Sequence, residues 1–401
     1  MMRCLGLAAL CVACARPVPS AGPPAKDPAG EIFAELVMGS HGPLENERLE
    51  RYVRAVGARV APRGNTWHFR ITDDPQPAAN ALPGGSILVS RGALALLGSE
   101  AELAAVLAHE LAHATRGHTA LDKTALPAHG VDGAARAAAL DADEERQADA
   151  LAVELVARAG YDPRAVGRAL DALHRGVGDV EHDPTDPHPP RAARLARVAL
   201  VAGRGRGEEG RARYLGAIDG LPLGTDDAHL ESGRFHAPGG LSFALPPGFR
   251  PELSGHVLTA RALDAELTIV RFHGRFFREA LLGAVRRSTF SSREVAGLRT
   301  LVGTLGDDAA HRVAVLDSSP FVYIIAASGS GRDEQVERVL ASARAARVGP
   351  RLVLRIARAP GGVSASRLCP DTDPSLFERL NGFEANAVVS RGFSVKCTTT
   401  R

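Results

Sequence analysis

Apolar residues recur at helical spacing along much of the first half of the chain. Within Glu45–Ala61 they stand at Leu49, Tyr52, Val53, Val56 and Val60, which predicts an amphipathic helix. Leu103, Val106, Leu107, Leu111 and Ala114 form a second stripe. Ser99 and Glu102 have the spacing of a capping box at its start, and Gly117 is a stop. A third helix is predicted from Asp143 to Ala159, ended by Gly160 and Pro163. Its inner stripe reads Glu145, Ala148, Asp149, Ala152, Leu155 and Val156. Strands are predicted at Trp67–Thr72 and Ser86–Ser90. Residues 241–348 alternate strand-like runs (Leu267–Phe272, Arg312–Leu316, Phe321–Ala326) with helical ones (Glu279–Arg287, Asp333–Ala345). The fold class expected is α+β, with a helix-rich unit over 31–201, a linker over 202–240, a smaller α+β domain over 241–348 and a small terminal unit over 350–401.

Composition narrows the function classes. The 401 residues are 45% hydrophobic and 23% charged, ordinary for a globular protein. A net charge of +2, from 48 basic and 46 acidic residues, argues against nucleic acid as a partner. Residues 1–15 have a positive start, a short apolar stretch and small residues, the pattern of an export signal. Val12-Ala13-Cys14 looks like a bacterial lipobox, which would make Cys14 a lipid anchor; plain cleavage after Ala15 is the alternative. With Cys14 lipidated, the absence of Asp at position 15 looks like outer-membrane sorting, so the expected location is the periplasm, at the outer membrane. Residues 16–30, rich in Pro, Gly and Ala, read as a tether. Cys369 and Cys397 are an isolated pair, which in an exported protein suggests a disulfide; two buried thiols are the alternative.

The chemistry concentrates on the second helix. His109 and His113 are four apart, so both imidazoles leave one face and can reach one metal ion. Glu110 sits about 100° round the helix, placed to face a water rather than to ligate. This is the H-E-x-x-H arrangement of zinc peptidases. Ala105 and Ala112 beside the histidines are small and would leave room for metal and substrate. Catalytic zinc takes three protein ligands. Glu145 and Asp149, both on an inward stripe, suit a third ligand and a partner to a ligand histidine.

Four ordered motifs carry a resemblance. Asn80-Ala-Leu-Pro-Gly-Gly85, Ser99 through His113, Glu145-Arg-Gln-Ala-Asp149, and His188-Pro-Pro with Arg194 resemble the HtpX / CAAX-prenyl-endopeptidase family of zinc metallopeptidases, of the gluzincin type. The similarity spans about residues 31–200 and looks greatest to the periplasmic branch that handles outer-membrane proteins. It implies a zincin-like peptidase domain, one Zn2+ on His109, His113 and Glu145, and Glu110 as catalytic base. It also implies that His188 lies over the metal, either as a reversible fourth ligand or near the transition state; His188 or Arg194 is the candidate helper for the oxyanion.

The expected activity is hydrolysis of peptide bonds in unfolded or misassembled envelope proteins, with Ser86–Ser90 pairing to substrate main chain. Residues 351–397 look like a divergent LysM module, which implies peptidoglycan as a partner. Gly361-Gly362-Val363 replaces the usual Gly-Asp-Thr there, so a structural role stays open. The alternative reading is a non-catalytic, chaperone-like or wall-binding envelope protein on a peptidase fold.

Overall fold

The computed structural model describes residues 42–117, 131–177, 191–224, 229–237, 240–254, 257–273, 290–305, 311–318, 321–346 and 352–400. The signal-like segment, Cys14, the 16–30 tether and the expected helix Glu279–Arg287 lie outside the described residues. Among the described residues, no helix is long and apolar enough to cross a membrane.

Helix α1 (Glu47–Val60) buries Leu49, Val53, Val56 and Val60, the positions its periodicity points inward. It packs on a three-stranded sheet of β1 (His68–Thr72), β2 (Ala79–Leu82) and β3 (Ser86–Ser90). The strand order is β1-β3-β2, with β3 parallel to β1 and antiparallel to β2. All five β3 residues are buried, and both of its edges are occupied. A substrate therefore cannot add to Ser86–Ser90, contrary to expectation. The outer edge of β1 is bridged at Thr72 by Pro43, so among the described residues the edge left without a partner strand is that of β2.

After α2 (Arg91–Leu96) comes α3 (Glu100–Arg116), which carries the two histidines. The Ser99 hydroxyl accepts the Glu102 N–H at 3.2 Å. The Glu102 carboxylate turns back to the Gly98 N–H at 2.6 Å, one residue before the donor a capping box would use. At the far end Gly117 adopts φ 75°, a left-handed cap that its N–H closes onto the His113 carbonyl. Helix α4 (Val131–Arg158) starts well before the expected Asp143. Helices α5 (Ala165–Val177), α6 (Arg191–Ala202) and α7 (Arg211–Ile218) complete the layer. Helix α7 lies in the expected 202–240 linker, yet Tyr214, Leu215 and Ile218 are buried in the first core. Tyr214 also donates to the Leu94 carbonyl at 2.5 Å. This stretch is thus part of the unit it was expected to leave.

Glu100 ties the start of α3 in place. Its carboxylate, 5% exposed, accepts from the Tyr52 and Tyr161 hydroxyls at 2.8 Å each and from Arg213 Nε and Nη2 at 3.0 Å. Burial raises its pKa, but these four donors outweigh that and hold it below the usual carboxylate value.

The second unit is mainly sheet. Strands β8 (Arg250–Ser254), β9 (Val257–Arg261), β10 (Ala265–His273), β11 (Ser291–Val295), β12 (Leu298–Leu305), β13 (His311–Ser318) and β14 (Phe321–Gly329) form one antiparallel sheet in the order β11-β12-β13-β14-β10-β9-β8. Its apolar runs are continuous because both faces bury side chains. Ala314, Leu316, Tyr323 and Ile325 join one core with α8 (Arg332–Ala341), while Val313, Val315, Val322 and Ile324 form another. Helix α8 is shorter than the expected Asp333–Ala345, because Arg344–Ala345 extends as β15 beside β7 (Leu241–Ala244).

The last residues run β16 (Leu352–Arg358), β17 (Val363–Ser364), α9 (Ala365–Leu368), α10 (Pro374–Asn381), β18 (Val388–Val389) and β19 (Ser394–Thr400). β16 pairs antiparallel with β19, and Cys369 is bonded to Cys397 across a Cα–Cα distance of 5.2 Å. This unit is not separate in its packing. Leu354 and Leu380 belong to the first core. The Lys396 ammonium, 1% exposed, donates to the carbonyls of Ala95 (2.7 Å), Leu96 (2.9 Å) and Leu380 (2.8 Å). It thereby caps the C-terminal ends of α2 and α10 together.

Two outcomes follow from these buried charges. Glu100→Ala strands four donors and should lower unfolding free energy by about 3 kcal/mol in urea titrations; a change below about 1 kcal/mol would remove Glu100 as an anchor. Burial pushes Lys396 down from 10.5 to about 7. Between those values the unfolded chain holds a proton the folded chain lacks, so stability rises with pH by about 1.4 kcal/mol per unit. Lys396→Met should lack this slope when compared with the wild type from about pH 7.5 to about pH 9.

Candidate metal centre

Helices α3 and α4 pack against each other. Ala105 and Ala112, expected to open space beside the histidines, are 1% and 0% exposed. Their small side chains serve close packing instead. On α4 the inner stripe is buried as the periodicity requires: Glu145, Ala148, Asp149, Ala152, Leu155 and Val156 are all inside.

This crossing brings three metal-ligating side chains together. His109 Nε2 lies 3.0 Å from His113 Nε2 and 3.4 Å from Glu145 Oε2, and His113 Nε2 lies 3.3 Å from Glu145 Oε1. A tetrahedral ion with bonds of about 2.0–2.1 Å separates its ligands by roughly 3.3 Å, so the spacing fits zinc. Side-chain chemistry fits as well. His109 Nδ1 lies 3.1 Å from Asp149 Oδ1. Placing the proton on Nδ1 leaves the Nε2 lone pair facing the centre. With both Nε2 atoms unprotonated, two imidazole nitrogens and a carboxylate turn lone pairs toward one point, and a cation there would replace the protons that otherwise bond the histidines to Glu145. His109, His113 and Glu145 are thus the residues that can hold a metal ion. Glu110, next along α3, is half-buried.

Arg194 from α6 closes the arrangement. It is 9% exposed and donates to Asp149 through Nε (3.0 Å) and Nη2 (2.8 Å), with Nη2 also 2.8 Å from Glu145 Oε2. In this structure its contacts are with two carboxylates. Burial opposes charging Glu145, Asp149 and His109 alike. Hydrogen bonds to the histidines, with the Arg194 charge, nonetheless hold Glu145 well below its ordinary value. His109 and Arg194 lower Asp149. Asp149, Glu145 and Glu110 raise His109. His188 lies outside the described residues. Sequence reasoning missed Glu100, which looked like an ordinary acidic first turn.

Residues 43–128 and 128–201 match peptidase family M48. This M48 stretch contains His109, Glu110, His113, Glu145, Asp149 and Arg194. The match is to the family rather than to the HtpX branch, and it stops short of the strand-rich second unit and the C-terminal unit. Among curated proteins, the chain is 24% identical over 177 residues to the beta-barrel assembly-enhancing protease of Yersinia pestis, covering 36% of each chain. The protein of the same name from Escherichia coli K12 is 23% identical with the same coverage. The mitochondrial metalloendopeptidase OMA1 of Schizosaccharomyces pombe is 46% identical over 54 residues, 14% of this chain and 16% of that one. The chain therefore spans about a third of the length of the first two relatives.

Asp149→Asn removes the charge and leaves one acceptor oxygen to serve both Arg194 and His109 Nδ1, so the His109 tautomer is no longer fixed. It should weaken Zn2+ binding about 10–100-fold in a competitive chelator titration. Unchanged affinity would show that Asp149 has no part in shaping the centre.

Proposed function

We propose that this protein is a zinc-dependent endopeptidase that cleaves unfolded or misassembled proteins of the cell envelope. The observation that carries the reading is the convergence of His109, His113 and Glu145 from two helices, with Glu110 beside them. The M48 match and the protease relatives support it. The export-like residues 1–15 support an envelope location, with Cys14 as a lipid anchor.

When bound, zinc supplies Lewis-acid polarisation of the scissile carbonyl and lowers the pKa of a water to about 7. Glu110 accepts the proton of the attacking water and delivers it to the leaving amine nitrogen. Arg194 keeps Glu145 ionised, and Asp149 holds the neutral His109 in the tautomer that leaves Nε2 free to ligate. Substrate main chain adds to the open edge of β2, which packs near α3, rather than to β3. Main-chain pairing asks for an extended segment, so unfolded polypeptide is preferred over folded protein.

Glu110→Gln should keep stoichiometric zinc while hydrolysis of unfolded casein falls about 10²–10⁴-fold. Full hydrolysis by that variant, or a wild type that binds zinc and cleaves nothing, would favour the non-catalytic alternative.

A further inference from the structure

Outside the M48 stretch, β5 (His229–Glu231) and β6 (Arg234–Ala237) form a tight hairpin. Ser232 and Gly233 have φ of 50° and 74°, the two left-handed positions of a type I′ turn. A turn of this type fixes the register, so His229 faces His236, Leu230 faces Phe235 and Glu231 faces Arg234. Alternation sends Phe235 into the second core, where it is fully buried. His229, Glu231 and His236 share the opposite face.

On that face the groups converge. The His229 and His236 rings stack with centroids 4.5 Å apart and planes 7° apart. The Glu231 carboxylate lies 3.9 Å from His236 Nε2. One ligand atom from each residue lies within 4.8 Å of the other two. Arg234, which pairs with Glu231 across the hairpin, is drawn away to the Ser242 carbonyl (3.2 Å) and hydroxyl (3.1 Å) and the Ser342 carbonyl (2.8 Å). A solvated polar face explains why these residues are hydrophilic. It does not require two imidazoles and a carboxylate to meet.

We propose that the hairpin binds a second, non-catalytic divalent ion through His229, Glu231 and His236. Two imidazoles and one carboxylate suit ions of the zinc, copper and nickel class, whereas calcium and magnesium demand oxygen donors. Two ligands come from β5, the edge of its four-stranded sheet, and one from β6. Ligation therefore cross-links the edge strand to its neighbour. No residue is shared with the M48 stretch, so the proposal stands apart from the peptidase reading.

The test is metal stoichiometry of the full chain, stripped with chelator, dialysed against Zn2+ and measured by elemental mass spectrometry. His229→Ala/His236→Ala should bind one equivalent fewer than the wild type while cleaving unfolded casein at the same rate. Glu231→Gln should retain the site with affinity weakened about tenfold. In a His109→Ala/His113→Ala background, added Cu2+ should give an electron paramagnetic resonance spectrum with two nitrogen donors. Equal zinc content in wild type and hairpin variant, or no nitrogen-ligated copper in that background, would overturn the proposal.

Discussion

Arg194 is the charge on which the centre depends. Two carboxylates, Glu145 and Asp149, sit inside the crossing of α3 and α4 beside two imidazoles. Buried carboxylates repel one another and are expensive to desolvate. A single guanidinium from α6 touches both and offsets much of that cost. A third helix is thereby committed to the geometry of the other two. Glu145 and His109 hold their orientations because their partners are held, and those partners answer to α6.

Much of this was legible along the chain, and for identifiable reasons. Helical period placed Glu145 and Asp149 on a face otherwise made of Ala, Leu and Val, and the fold buries that face as a unit. Four-residue spacing put His109 and His113 side by side. The task of Arg194 was not legible, because which neighbour an arginine meets across helices is a tertiary matter. Helix α7 was hidden for a different reason. Gly and Arg dominate its surroundings, and only Tyr214, Leu215 and Ile218 mark its buried side. The central place of β3 escaped because strand order is non-local, although a run buried at every position is what a strand paired on both edges requires.

The units also depend on one another more than a division by composition suggests. Glu100 gathers two tyrosines and an arginine around the start of α3, with Arg213 reaching it from α7. At the other side, Leu354 and Leu380 fill the first core from more than a hundred residues downstream of the M48 stretch. The disulfide between Cys369 and Cys397 braces β19 close to Lys396, whose ammonium lies against the ends of two helices.

That last arrangement bears on what closes the fold around the centre. Both histidines and Glu145 lie in the first half of the sequence, but the side chain that closes the carbonyls of Ala95 and Leu96 stands 300 residues beyond Leu96. Without that distant segment the first core would lack Leu354 and Leu380, and the Ala95 and Leu96 carbonyls would lose this donor. The stretch that carries the three metal-ligating side chains is thus closed by residues far outside it, so an excised fragment of residues 43–201 would hold them on an open scaffold.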